Sequence, residues 1–187
     1  MYRVNEIFYS LQGEGYHTGR TAVFVRLAGC NLRCPFCDTD FSHSEPMSAD
    51  AIAKRVFAYS TSPDTLIVLT GGEPSLQADE ALTKALHRHH QTLTIETNGT
   101  HPLPDGIDWI TLSPKAGADV VLTHADEVKV VFTPDTVNDL PRWAAFPAKH
   151  HYLQPCSCTN TEDVVRYILG HPEWRLSLQT HKYIDIR

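Results

Sequence analysis

The sequence predicts an α/β protein built as an open, incomplete (β/α) barrel, and three observations predict it. Short β-branched runs alternate along the chain with stretches of helical periodicity, the pattern of a mostly parallel sheet with crossover connections. The chain has 187 residues, whereas a complete eight-fold barrel usually needs about 250, so some units have to be missing. The segments after Glu96 and after Leu112 also carry no helical pattern before the next strand. One domain over residues 1–187, with several crossover helices absent, is the expected architecture.

Taken in order, residues 4–10 alternate in polarity and read as a strand. It runs into Leu11, Gln12, Gly13, Glu14 and Gly15, where two glycines flanking an acid mark a turn with close backbone approach. Residues 21–28 are apolar, rich in β-branched side chains and bounded by glycines, which predicts a buried strand. That strand ends at a cysteine-rich loop. Ser48 then caps a helix to about Tyr59, with Ile52, Val56 and Tyr59 at helical spacing. Residues 66–70 form another buried strand, followed by Gly71, Gly72, Glu73 and Pro74 and by a helix from about Leu76 to His89.

Further strands are expected at 92–96, 108–112 and 127–132. After the last of these, Thr133, Pro134 and Asp135 supply the cap, first-turn proline and early acid of a helix start. A short strand at 151–153 leads into Gln154, Pro155, Cys156 and Ser157. Thr159 or Asn160 caps a helix that closes at Gly170 as its C′ residue. A final strand covers 174–178. In barrels and open α/β sheets, ligands bind at the C-terminal ends of the strands. Each polar cluster named above follows a strand, so one active-site face is expected.

Composition narrows the function classes. A net charge of -6 argues against a nucleic-acid-binding surface. No run of about 18 apolar residues marks a membrane span, and the first residues lack the apolar core of a secretion signal. The five cysteines are odd in number and clustered. That disfavours an exported disulfide framework and favours metal chemistry in a reducing cytoplasm. A cytoplasmic protein with neither nucleic-acid nor membrane partners is expected.

Cys30, Cys34 and Cys37 are spaced x3 then x2 on one loop. Thiolates are soft ligands for zinc, copper(I) or iron–sulfur centres, and short spacing lets one loop wrap one centre with little closure entropy. Three thiolates complete neither a tetrahedral zinc site nor a four-iron cluster. A cubane held this way keeps one iron open to another molecule. The competing reading is a zinc knuckle completed by Cys156 or Cys158, whose single-residue spacing is tight for a zinc pair. Cys156 and Cys158 read better as small buried residues. The histidines His87, His89, His90 and His150 read as solvated.

With an aromatic, Phe36, before the last cysteine, this motif resembles the cluster motif of radical S-adenosylmethionine (SAM) enzymes. Gly71 to Pro74 after a buried strand resembles the SAM-binding turn of that superfamily. Leu11 to Gly15, Arg26, the run Cys37, Asp38 and Thr39, the run Glu96 to Gly99, Ser113 to Lys115, and His181 with Lys182 resemble the 7-carboxy-7-deazaguanine synthase family. That resemblance runs from Leu11 to Arg187, least distinctly over 134–150, and there is no long insertion between the first two cysteines.

The resemblance implies the radical SAM type of open barrel and conversion of 6-carboxy-5,6,7,8-tetrahydropterin to 7-carboxy-7-deazaguanine and ammonia. It implies a [4Fe-4S] cluster on Cys30, Cys34 and Cys37, with SAM on the open iron. SAM contacts would come from Gly72, Ser113, Pro114, Lys115, Gln154, Pro155, Cys156 and Ser157. Substrate contacts would come from Leu11, Gln12, Gly13, Arg26, Thr70, His181 and Arg187. Thr39 would ligate Mg²⁺, and Glu96 would move a proton. A homodimer and a flavodoxin-type electron donor are also implied.

Residue chemistry supports parts of this independently. Gly72 permits close backbone approach, and Pro74 biases Glu73 to extended geometry. Arg26 is the only charge inside its apolar strand, where an unpaired charge is costly. Its planar fork suits a carboxylate or pterin edge, with a structural salt bridge as the rival. Two other functions compete: a glycyl-radical activating enzyme, which shares the cysteine spacing, and a non-catalytic zinc module.

Overall fold

The computed structural model describes residues 1–37, 39–40, 43–89 and 91–187; Asp38 and His90 lie outside the described residues. In chain order the elements are β1 (Tyr2–Leu11), β2 (Thr21–Leu27), β3 (Glu45–Met47), α1 (Ala49–Tyr59), β4 (Leu66–Gly71), α2 (Glu80–Leu86) and β5 (Leu93–Thr97). There follow β6 (Trp109–Leu112), β7 (Ala125–Phe132), α3 (Leu140–Ala144), β8 (Ala148–Pro155), α4 (Thr161–Gly170), β9 (Arg175–Leu176) and α5 (Thr180–Tyr183).

Among the described residues, nine strands join one open sheet in the order β3-β1-β2-β4-β5-β6-β7-β8-β9. β1 pairs antiparallel with both β2 and β3. From β2 to β9 every neighbouring pair is parallel. Among the described elements, none is a helix between β5 and β6 or between β6 and β7. This is the open, helix-deficient barrel that the sequence predicts, and among the described residues no helix is long and apolar enough to cross a membrane.

Alternation of side chains along each strand splits the apolar residues between two faces. On the helix-covered face, one cluster gathers Val25, Leu27, Ile52, Val56, Ile67, Leu69, Leu82 and Ile95 under α1 and α2. A second gathers Leu112, Val128, Val130, Leu140, Trp143, Leu153 and Val164 under α3 and α4. Ile110 on β6 packs against both. On the inner face, Phe8, Ala22, Phe24, Leu66 and Val68 form a small apolar floor, with Phe8 and Phe24 stacked at 4.9 Å.

Several boundaries differ from expectation. The helix expected over 76–89 is broken into a 3-10 turn at Pro74–Leu76, α2, and a second 3-10 turn at His87–His89. Asp79 is extended and its side chain accepts from the Leu82 amide, so it starts a new helix inside the expected one. Thr133 does not cap a helix: the Thr136 hydroxyl accepts from the Thr133 amide and folds a turn, and α3 starts only at Leu140.

Asn160 is the N-cap residue of α4, but its side chain is turned away to the Cys156 amide and the Phe132 carbonyl. Gly170 is the last residue within α4 rather than the one beyond it. The final strand shrinks to two residues at β9. The edge strand β3, which contains Pro46, was not expected, and proline is tolerated on such an edge.

Candidate active site

A cavity of about 1140 Å³ opens at the C-terminal ends of the parallel strands. Its floor is apolar, and its wall turns polar one inward-facing position further along each strand. Arg26 follows Phe24 on β2, Thr70 follows Val68 on β4, and Glu96 follows Thr94 on β5. Lys129 and Val131 come from β7, and Gln154 comes from β8. Every site residue predicted from the sequence lines this cavity except Pro114, which is buried.

The cysteine loop leaves the end of β2. Cys30, Cys34 and Cys37 are free thiols facing the cavity, and the Cys37 amide closes a tight turn onto the Cys34 carbonyl at 3.1 Å. Burial pushes the Cys34 thiol up, Lys115 opposes this, and the charges of Cys30 and Cys37 push it up further. The three sulfurs are therefore within electrostatic reach of one another. Among the described residues, no group of His, Cys, Asp or Glu is gathered tightly enough for a single metal ion. A three-thiolate set on one cavity-lining loop fits an iron–sulfur cluster by its donor chemistry. Thr39 lines the same cavity.

The turn after β4 is joined to this loop backbone to backbone. The Gly72 amide donates to the Leu27 carbonyl at 3.0 Å and the Glu73 amide to the Gly29 carbonyl at 2.8 Å. A side chain on Gly72 would meet the Gly29 carbonyl oxygen at 2.1 Å, so the close approach requires glycine. Glu73 is extended, as Pro74 requires. Its carboxylate is 1% exposed and accepts from the Ser75 amide, the Thr97 hydroxyl and the Asn98 amide. Asn98 in turn reaches Asn31 on the cysteine loop at 3.2 Å.

The opposite rim carries the other predicted contacts. Lys115 donates to the Ser113 carbonyl and hydroxyl at 2.8 and 2.7 Å. Burial pushes its ammonium below the usual range, with Cys34 opposing. Gln154 accepts from Ser177 at 3.0 Å. Beyond Pro155, Ser157 and Cys158 both have positive φ, 46° and 65°, conformations that non-glycine residues hold mostly where function constrains them. Cys156 and Cys158 are half-buried, not fully buried as the sequence suggested, and Cys156 lines the cavity.

Along the wall, Thr70 and Gln12 both donate to Glu96, at 2.9 and 3.1 Å. Arg26 does form a salt bridge, to Glu6 at 2.9 Å, while still facing the cavity. Glu6 also holds Arg187, whose carbonyl accepts from Ser10 at 2.6 Å. Gly13 lies so close to His181 that an added side chain would meet its ring nitrogen at 2.3 Å, and Thr180 donates twice to the Gly13 carbonyl. His150 is half-buried and stacked on Tyr16, less solvated than expected.

Sequence reasoning missed Glu6, Glu14 and Lys129 as cavity residues. Lys129 is 4% exposed, bonded to Glu14 and 3.8 Å from Glu96. Burial opposes the charge on Glu14, but Lys129 and Gln179 outweigh it and bring the carboxyl down to about 2. The signal was present: Glu127 and Lys129 are two charges at same-face spacing in the strand Ala125–Phe132, where Asp126 is the one other charge.

Comparison with known proteins agrees with this geometry. Residues 24–137 match the profile of the Radical SAM superfamily. The chain is 54% identical to the 7-carboxy-7-deazaguanine synthase of Bacteroides thetaiotaomicron, with all of both chains covered. It is 46% identical to the synthase of that name from Bordetella pertussis, covering 99% of each. A crystal structure of QueE from Escherichia coli superposes with a TM-score of 0.81 at 28% identity, covering 96% of this chain and 94% of that one. A match of this extent, with the cysteine loop and the glycine turn meeting at one cavity, places the chain in the Radical SAM superfamily and, within it, in the 7-carboxy-7-deazaguanine synthase family.

Proposed function

We propose that residues 1–187 work as one radical SAM domain whose cavity converts 6-carboxy-5,6,7,8-tetrahydropterin to 7-carboxy-7-deazaguanine with loss of ammonia, a step towards queuosine precursors. The observation that carries this reading is the convergence of the cysteine loop, the Gly72 turn and the polar strand-end wall on a single cavity. The volume exceeds the roughly 300–1,000 Å³ of most single-ligand sites, which leaves room for SAM and substrate side by side.

Cys30, Cys34 and Cys37 hold the cluster. Gly72, Ser113, Lys115 and the segment Gln154, Pro155, Cys156 and Ser157 hold SAM, with buried Pro114 fixing the turn that presents Ser113 and Lys115. When bound, cluster and SAM supply the radical that takes a hydrogen atom from the pterin and later returns it. The chain's own part is to orient and to exclude water. Leu11, Gln12, Gly13, Arg26, Thr70, His181 and Arg187 hold the substrate over the apolar floor, which keeps solvent from below. Glu96, fixed by donors from Thr70 and Gln12, has its carboxylate placed to accept and return a proton during ring contraction. Thr39 offers one oxygen to Mg²⁺, which prefers oxygen donors and keeps several waters. The protein is proposed to act in the cytoplasm as a homodimer, with a flavodoxin-type donor.

Anaerobically reconstituted protein should bind iron and sulfide. With SAM, reductant and the carboxytetrahydropterin it should give a product of the mass of 7-carboxy-7-deazaguanine. An intact cluster without that product would overturn the assignment. Thr39→Ala should weaken stimulation by Mg²⁺ at unchanged iron content; an unaltered Mg²⁺ dependence would remove Thr39 as a ligand.

A further inference from the structure

Three carboxylates surround a single buried ammonium on the cavity wall. Lys129 projects from the inner face of β7, bonds to Glu14 from the loop after β1, and lies 3.8 Å from Glu96 at the end of β5. Glu127, two residues back on the same face, accepts from the Tyr16 amide at 2.7 Å. The other charged groups facing this cluster are Lys115, beyond β6, and His181 on α5, which acts on Glu14. Glu14 and Glu96 each hold further donors, Gln179 at 3.0 Å for the first and Gln12 and Thr70 for the second. Glu14, Glu96 and Lys129 all line the cavity.

We propose that Lys129 is a positioning residue, whose ammonium keeps Glu14 ionised and holds Glu14 and Glu96 aimed into the cavity as a fixed pair of hydrogen-bond acceptors for the substrate. This rests on the reading of the cavity as the pterin site. The argument is electrostatic. Two carboxylates sharing a secluded wall repel, and burial favours their protonated forms; a cation between them reverses both effects. A protonated carboxyl would present an O–H where an N–H-rich substrate edge needs an acceptor. Lys129 sits deeper than either acid, with its side chain 6% exposed against 16% for Glu14 and 24% for Glu96. It therefore serves the two acids from behind; each carboxylate oxygen already accepts one protein donor, and its remaining lone pair is left to the substrate. The directions agree: Glu14 is held well below the ordinary carboxyl range, whereas Glu127, where burial outweighs Lys129, is pushed up.

The test reads the carboxylates directly. In protein labelled at the glutamate side-chain carboxyl carbon, Lys129→Met should raise the titration of Glu14 by roughly one to three pH units, and Lys129→Arg should restore the lower value. In turnover assays the acid limb of kcat/KM should move up in Lys129→Met by a similar amount and KM for the pterin should rise, with iron content and SAM affinity unchanged. An unmoved Glu14 titration in Lys129→Met would overturn the inference. If that variant does not fold, Lys129→Gln keeps a donor at the site without the charge, and Glu14 should still titrate above its wild-type value; an unmoved value there is equally fatal. If Lys129→Met shows the Glu14 shift but the wild-type protein makes no deazapurine, the pterin reading is overturned instead.

Discussion

Gly72 has no room for a side chain, and the reason is a backbone carbonyl, which cannot rotate aside as a side chain would. Gly72→Ala must separate the β4 turn from the cysteine loop. It should lower stability by about 1–3 kcal/mol and weaken SAM binding at least tenfold, measured by urea denaturation and equilibrium binding. Glu73 makes a sharper case, because its carboxylate accepts from three donors contributed by two segments, its own turn and the end of β5. Glu73→Gln turns one acceptor into a donor that faces other donors. Denaturation should show a loss of about 1–3 kcal/mol, with iron content also falling as Asn98 releases Asn31. The glycines and the proline at this turn were legible in the sequence because backbone constraints are local. The spacing of Glu127 and Lys129 marks a charged face on their strand, but not the partner: the contact of Lys129 with Glu14 spans 115 positions, which no local pattern encodes.

Among the elements, the β1–β2 connection combines local and distant constraints. Its ends close through the Gln12 and Arg20 backbones at 2.8 Å, while Tyr16 and His17 pack on Trp109 and His150 from β6 and β8. Burial, then Arg20, pushes the His17 ring down to about 4, so the folded chain prefers it neutral. Its contribution to stability is complete above its ordinary value of 6.5 and is lost as the pH falls through about 4. The stability difference between wild type and His17→Phe, measured by denaturation across that window, should therefore move in favour of the variant as the pH drops. The central parallel strands were legible because buried parallel strands are continuous apolar runs; the edge strand β3 and the short extent of β9 were not. Helix limits were less so: Asp79 and Thr136 use side-chain bonds to the backbone to restart or delay a helix, and such choices depend on the turn already formed.

For the whole molecule, the sheet is continuous but the packing beneath it is not. One apolar cluster underlies β1 to β5 and another the end of β6 to β8, through Leu112, with Ile110 of the four-residue strand β6 touching both. Sequence periodicity foretold buried faces on either side, yet not this division, which follows from the missing crossover helices around β6. The cysteine loop and Gly72 stand on the first cluster; Ser113, Lys115 and Gln154 stand on the second. A bound SAM molecule would therefore bridge two separately packed halves. Hydrogen exchange should find two cooperative units of different opening free energy in the cofactor-stripped protein, merging into one when cluster and SAM are restored; a single unit in both states would contradict this. On the merging outcome β6 would be a seam and the cofactor its stitch, and the molecule would become mechanically whole only when chemically competent.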